Sequence, residues 1–183
     1  MIIYCLRHGE AEHNLLHLMN EDPSKQIHLT DLGRRQIEAS ALTIKNVPLE
    51  VIFTSEFPRA IETARIINRQ HNVPIIQDKR LNDLVSGVEG QTYHSYKEQI
   101  KRTAEKQGID PDYVRLNNGE SFEDERQRVC TFLDEIRTQG YGQVLISAHF
   151  DTVCIIQRYA RGPTNRKHED FKPQKGKIYR FKV

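Results

Sequence analysis

The sequence predicts an α/β fold, a three-layer sandwich with a mostly parallel central sheet and helices on both faces. Short β-branched runs alternate with longer amphipathic segments, which is the pattern of strands joined through helices. The longer segments carry apolar residues at helical spacing, and their starts carry helix-capping residues.

In chain order, Ile2 to Leu6, Val51 to Thr54, Val73 to Ile76, Val144 to Ala148 and Ile178 to Phe181 read as strands. Thr30 opens a helix whose Ile37, Ala41 and Ile44 fall on one face. Pro58 suits the first turn of a second helix carrying Ile61, Ala64 and Ile67. Ser121 and Asp124 form a capping-box start, followed by Val129, Phe132, Leu133 and Ile136 at i, i+3, i+4, i+7 spacing. The stretch from Gln77 to Gly119 is more polar and less regular. It reads as an insertion over one edge of the sheet, above the candidate site, within a single domain spanning residues 1–183.

Composition narrows the function classes. With 183 residues, 37% hydrophobic and 28% charged, the chain has the balance of a soluble globular domain. Arg7 interrupts the N-terminal apolar run at once, so no signal peptide is read, and no run approaches a membrane span. A cytoplasmic protein without a membrane partner is expected. The cysteines are three, Cys5, Cys130 and Cys154, each among apolar neighbours, which predicts reduced thiols. Net charge is +2, from 27 basic and 25 acidic residues, and does not point to nucleic acid. A basic run from Arg158 to Lys182 lacks interleaved stacking aromatics and reads as surface that helps to attract anions.

The residues with chemical promise sit where strands run out. Arg7-His8-Gly9 follows the first strand, Arg59 opens the helix after the second, and His149 follows the strand Val144 to Ala148. In open parallel sheets the ligand crevice lies at those carboxyl ends. Taken alone, Arg7 and His8 would read as a strand end facing water. Recurrence of Arg and His after other strands brings two of each to one edge, where a phosphoryl group could be neutralised. His offers a ring nitrogen to phosphorus, and Gly9 would let the backbone approach the anion.

These blocks resemble the histidine phosphatase superfamily, also called the phosphoglycerate mutase-like family, over nearly the whole chain. The motifs are Arg7-His8-Gly9 with Asn14, Leu29-Thr30-Asp31-Leu32-Gly33, Ser55 to Ala64, Gly119-Glu120-Ser121, and Val144 to His149. The resemblance implies a phosphoglycerate mutase-like fold and phosphomonoester hydrolysis through a phosphohistidine on His8. It implies that Arg7, Arg59 and His149 act with His8 in catalysis. It assigns the phosphoryl oxygens to Arg7, His8, Asn14, Arg59, His149 and the adjoining Phe150. Proton donation to the leaving group falls by the resemblance to Asp83, where the family usually has Glu, with Glu89 as the alternative. Asp is one methylene shorter, and the turn after it is one residue short. Phe150-Asp151 stands where small glycines commonly follow the late His, and the Phe is expected to narrow the pocket.

Other phosphatase chemistries fail on spacing. No cysteine has Arg six positions later, and the Asp110, Asp112 pair follows a polar stretch instead of a strand. His13 and His17 have metal-binding spacing, yet Asn14 stands where a zincin needs Glu. No metal and no cofactor are expected, and the partner is a small phosphorylated substrate. A mutase, or a phosphate-binding member with reduced catalysis, is the alternative reading. Length favours the phosphatase, since the mutases carry larger insertions. Tyr93, Tyr96, Lys97, Lys101 and Arg102 are the candidates for contact with a leaving group or are a solvated helix.

Overall fold

The computed structural model describes residues 1–162 and 171–183. Five strands, β1 (Ile2–Arg7), β2 (Val51–Thr54), β3 (Ile75–Gln77), β4 (Gln143–Ala148) and β5 (Ile178–Lys182), form one sheet in the order β3-β2-β4-β1-β5. All pairings are parallel except β1 with β5. The helices are α1 (Glu12–Leu15), α2 (Asp31–Thr43), α3 (Pro58–Asn68), α4 (Tyr93–Gln107), α5 (Phe122–Thr138) and α6 (Phe150–Arg161).

Side chains alternate across the pleat and so build two cores. Ile3, Cys5, Phe53 and Ile146 pack with Phe132, Leu133 and Ile136 of α5 and Val153 and Ile156 of α6. Tyr4, Leu6, Ile52 and Leu145 point the other way, onto Ile37 and Ala41 of α2 and Ile66 and Ile67 of α3. The result is the expected three layers. Each fully buried Phe or Leu here contributes roughly 1.5–3 kcal/mol. Cys5 and Cys154 are buried and Cys130 half-buried, all with free thiols.

The local signals act as read at three helix starts. Thr30 accepts from Gly33 N at 3.0 Å to cap α2, and Pro58 occupies the first turn of α3. Ser121 and Asp124 form the reciprocal capping box of α5. Two expectations need correction. The third strand begins at Ile75 instead of Val73, because Pro74 has no N–H to donate and Val73 is held by the Asn68 side chain at the end of α3. The stretch read as irregular contains the fifteen-residue α4. Thr92 caps it, Gly108 ends it in the left-handed conformation, and Tyr96, Ile100 and Ala104 pack on Val88, Val114 and Leu116.

The register sets the site. Arg7 pairs with Ala148 across β1 and β4, and Thr54 pairs with Ser147 across β2 and β4. The next residues, His8, Ser55 and His149, therefore leave the sheet side by side. Of the basic run from Arg158 to Lys182, the members Arg166 and Lys167, with Glu169 and Asp170, lie outside the described residues. No helix of the described residues is long and apolar enough to cross a membrane.

Candidate active site

His8 is 1% exposed. Its Nδ1 lies 2.6 Å from Gly9 O, and a carbonyl can only accept, so the proton sits on Nδ1 and Nε2 keeps its lone pair. Arg59 Nε donates to that lone pair at 3.2 Å. Burial first, then the Arg59 charge, holds His8 well below the usual imidazole pKa, so the ring is neutral.

Arg59 is wholly buried in the first turn of α3, over the Phe57 ring at 4.3 Å. A buried guanidinium needs partners, and this one uses every arm. NH1 donates to Asn20 Oδ1 at 2.5 Å, and NH2 donates to Asp83 Oδ2 at 3.0 Å. His149 follows β4, with Nε2 2.8 Å from Ser55 Oγ and its ring edge-on to His8 at 5.4 Å. Its Nδ1 is 3.2 Å from Asp83 Oδ2, near enough for charge interaction but not aligned as a hydrogen bond. Burial lowers the His149 pKa against the pull of Asp83.

Asp83 thus lies between Arg59 and His149. Burial would raise its pKa, but His149 and Arg59 together hold it well below the carboxylate range, leaving it ionised. The nearby Glu89 is turned elsewhere: its carboxylate takes Lys25 Nζ at 2.6 Å and Glu21 N at 2.5 Å. It fastens the loop that carries Asn20 and, through Asn20, supports Arg59.

Arg7 has a buried Nε with no acceptor, and its guanidinium lies 5.4 Å over the Phe150 ring. Asn14 accepts from Ala11 N at 3.1 Å through Oδ1, so the Nδ2 that sits 2.8 Å from His13 Nε2 is the donor. His13 therefore carries its proton on Nδ1. Burial and Arg59 lower its pKa to about 3, and its ring is 5.7 Å from that of His8. A cavity of about 360 Å³ opens above this cluster, lined by Arg7, His13, Asn14, Asp83 and Phe150, with Leu18, Met19, Leu84 and Tyr93 as apolar walls and Asp151 and Lys175 as further charges.

The model of the histidine phosphatase superfamily (branch 1) matches residues 3–183. The chain belongs to the histidine phosphatase superfamily. It is 30% identical over 156 residues to 6-phosphofructo-2-kinase/fructose-2,6-bisphosphatase 3 of Bos taurus, covering 84% of this chain but 31% of that one. The chain thus spans about a third of that relative's length. YhfR of Bacillus stearothermophilus is similar at a TM-score of 0.84 and 25% identity, over 100% of this chain and 91% of that one. The alpha-ribazole phosphatase of Shigella flexneri gives 0.84 at 21% identity, over the same shares. The fold is the phosphoglycerate mutase-like one.

Within this superfamily member, Arg7, His8, Asn14, Arg59, Asp83, His149, Phe150 and Tyr93 lie on the cluster or its cavity, whereas Glu89, Tyr96, Lys97, Lys101 and Arg102 do not line it. The structure adds local detail at Gly9 and at the His13, His17 pair. A Cβ on Gly9 would stand 2.5 Å from Gly33 O, and one on Gly33 would run into Glu10 O. Gly9 therefore serves the contact of the first loop with α2. His13 and His17 do not share a helix face, since α1 ends at Leu15 and His17 has φ of 53°. Among the described residues, no three His, Cys, Asp or Glu side chains are placed to hold a metal ion. Sequence reasoning missed Asn20, Ser55 and Lys175 as members of the site. Ser55 was visible as the first residue of its motif, Lys175 was lost within the basic run, and Asn20 carries no sequence signal.

Proposed function

We propose that this protein hydrolyses phosphate monoesters through a phosphohistidine on His8. The observation that carries the reading is the orientation of His8: a neutral imidazole with Nδ1–H fixed to a carbonyl and the Nε2 lone pair turned to Arg59. Arg7, with an unpartnered buried donor, and Arg59 supply positive charge for phosphoryl oxygens, joined by His149, Asn14 and the Phe150 end of α6. Nε2 attacks phosphorus and the ester P–O bond breaks. Asp83 gives the leaving alkoxide a proton, then takes one from the water that cleaves the P–N bond.

Asp83 must first be protonated. A phosphoryl group that draws Arg59 to itself weakens the pair that keeps Asp83 ionised, and its own negative charge raises the Asp83 pKa further. The segment 77–119, which brings Asp83, Leu84 and Tyr93 to the cavity, is read as an insertion over the site within one domain. The substrate is a small phosphorylated compound that fits about 360 Å³. A cytoplasmic setting accords with such substrates.

The Arg59–Asp83 pair also favours a second reading, in which phosphate binds and alkyl esters turn over slowly. Assay of sugar phosphates, nucleotides and p-nitrophenyl phosphate with wild type and His8→Ala tests both. Turnover of alkyl esters lost in His8→Ala supports the phosphatase. Vanadate binding without turnover of any ester supports the second reading.

A further inference from the structure

We infer that Arg128 is the positioning residue for Asp83, gripping the backbone that carries it; the inference rests on the reading of Asp83 as proton donor. Arg128 projects from α5 with its side chain 17% exposed. One edge of its guanidinium meets Glu120 fork to fork, Nε to Oε1 at 2.9 Å and NH2 to Oε2 at 2.9 Å. The guanidinium also reaches across the sequence to three backbone carbonyls: NH1 donates to Arg80 O at 2.8 Å and Asn82 O at 2.9 Å, and NH2, shared with Glu120, to Asp83 O at 3.3 Å.

Glu120, the partner that orients this fork, is itself tied to the far side of the same loop. Its Oε2 accepts from Val85 N at 3.2 Å, and its own N–H donates to Val85 O at 2.6 Å. The Asn82 side chain adds a link to the start of α3, accepting from Glu56 N at 2.9 Å and donating to Glu56 Oε2 at 2.8 Å. Leu81 and Leu84 are buried on either side of Asp83. The backbone from 80 to 85 is thereby held from both flanks, and among the described residues Arg128 is the one side chain that touches it at three carbonyls.

That grip matters because the donor is Asp. A carboxylate on a single methylene cannot recover a displaced backbone by changing rotamer as a longer Glu can, so its place relative to the leaving oxygen is the place of its Cα. Lys cannot substitute fully, since one ammonium lacks the planar fork that meets a carboxylate and several carbonyls together.

The test compares Arg128→Gln, Arg128→Lys, Asp83→Asn and the double variant Arg128→Gln/Asp83→Asn on glycerol phosphate and on p-nitrophenyl phosphate, whose leaving group needs little protonation. Arg128→Gln is expected to lose about 10- to 100-fold in kcat on glycerol phosphate and about threefold or less on the aryl ester, with KM and vanadate inhibition nearly unchanged. Arg128→Lys should regain part of the loss. The double variant should lose no more than Asp83→Asn alone, because Arg128 acts only through Asp83. Equal losses of Arg128→Gln on both esters, or losses that add in the double variant, overturn the inference while leaving Asp83 as donor. Equal losses of Asp83→Asn on both esters overturn that reading and this inference with it. If Arg128→Gln does not fold, Glu120→Gln, which loosens the fork, should show the same ester discrimination at smaller size, and its absence counts against the proposal.

Discussion

Arg59 and Asp83 face each other as an ion pair, 3.0 Å apart, with the arginine side chain sealed from solvent and the aspartate 28% exposed. The same guanidinium touches His8 Nε2, so one cation is shared by the proposed nucleophile and the proposed proton donor. In the proposed mechanism, phosphate binding and protonation of Asp83 are thereby linked: a phosphoryl group that turns Arg59 toward itself releases Asp83.

Arg59→Ala removes that link and a charge from the phosphoryl pocket. It should lower kcat/KM by about 10²- to 10³-fold, the scale for one preorganised stabilising group, and weaken vanadate inhibition. Asn20→Ala, which frees one arm of Arg59, should act in the same direction with a smaller loss. Steady-state kinetics with vanadate competition reads both, and unchanged inhibition in Arg59→Ala would contradict the placement of phosphate.

The pKa directions set the pH dependence. The depressed His8 pKa keeps the proposed nucleophile neutral well below the usual 6.5, and His13, at about 3, is neutral as well. The depressed Asp83 pKa makes its protonated form scarcer as pH rises. Alkyl phosphate turnover should therefore rise from about pH 8 to about pH 5, while the aryl ester changes far less. Profiles on the two esters measure this, and a parallel acid-side loss on both would show that His8 titrates near its ordinary value.

Much of this was legible in the sequence because its signals are local. The α5 stripe of Val129, Phe132, Leu133 and Ile136 is 0–1% exposed, and the motif residues cluster because His8 and His149 directly follow β1 and β4 and Arg59 opens the helix after β2. What escaped depends on distance. Asn20 meets Arg59 across 39 residues and Arg128 meets Asp83 across 45, and nothing near either residue announces its partner. The packing of α4 escaped because its buried side is a thin line of Tyr96, Ile100 and Ala104 in a polar segment. The tight packing of Gly9 on Gly33 was not legible because the two glycines belong to different motifs.

Glu125 gives a stability prediction. It is buried on α5, accepts from Thr152 Oγ1 at 3.1 Å and leaves Oε2 without a partner. Burial, with Asp151 adding, raises its pKa well above the usual 4.5. A carboxyl with a raised folded pKa favours folding below the unfolded value, and that contribution is lost as pH climbs from there through the folded pKa. Glu125→Gln mimics the protonated form. Its unfolding free energy should match wild type at about pH 4 and exceed it by about 1–3 kcal/mol at about pH 8, measured by urea melts. A constant difference across pH would contradict the raised pKa.

The most direct test of the central claim is to trap the intermediate on His8. Labelled phosphate monoester is mixed briefly with wild type and with His8→Ala, quenched in alkali, where phosphohistidine survives, and digested for mass spectrometry. The account predicts acid-labile phosphate on His8 in wild type and none in His8→Ala. Label on another residue, or label that persists in His8→Ala, would contradict it.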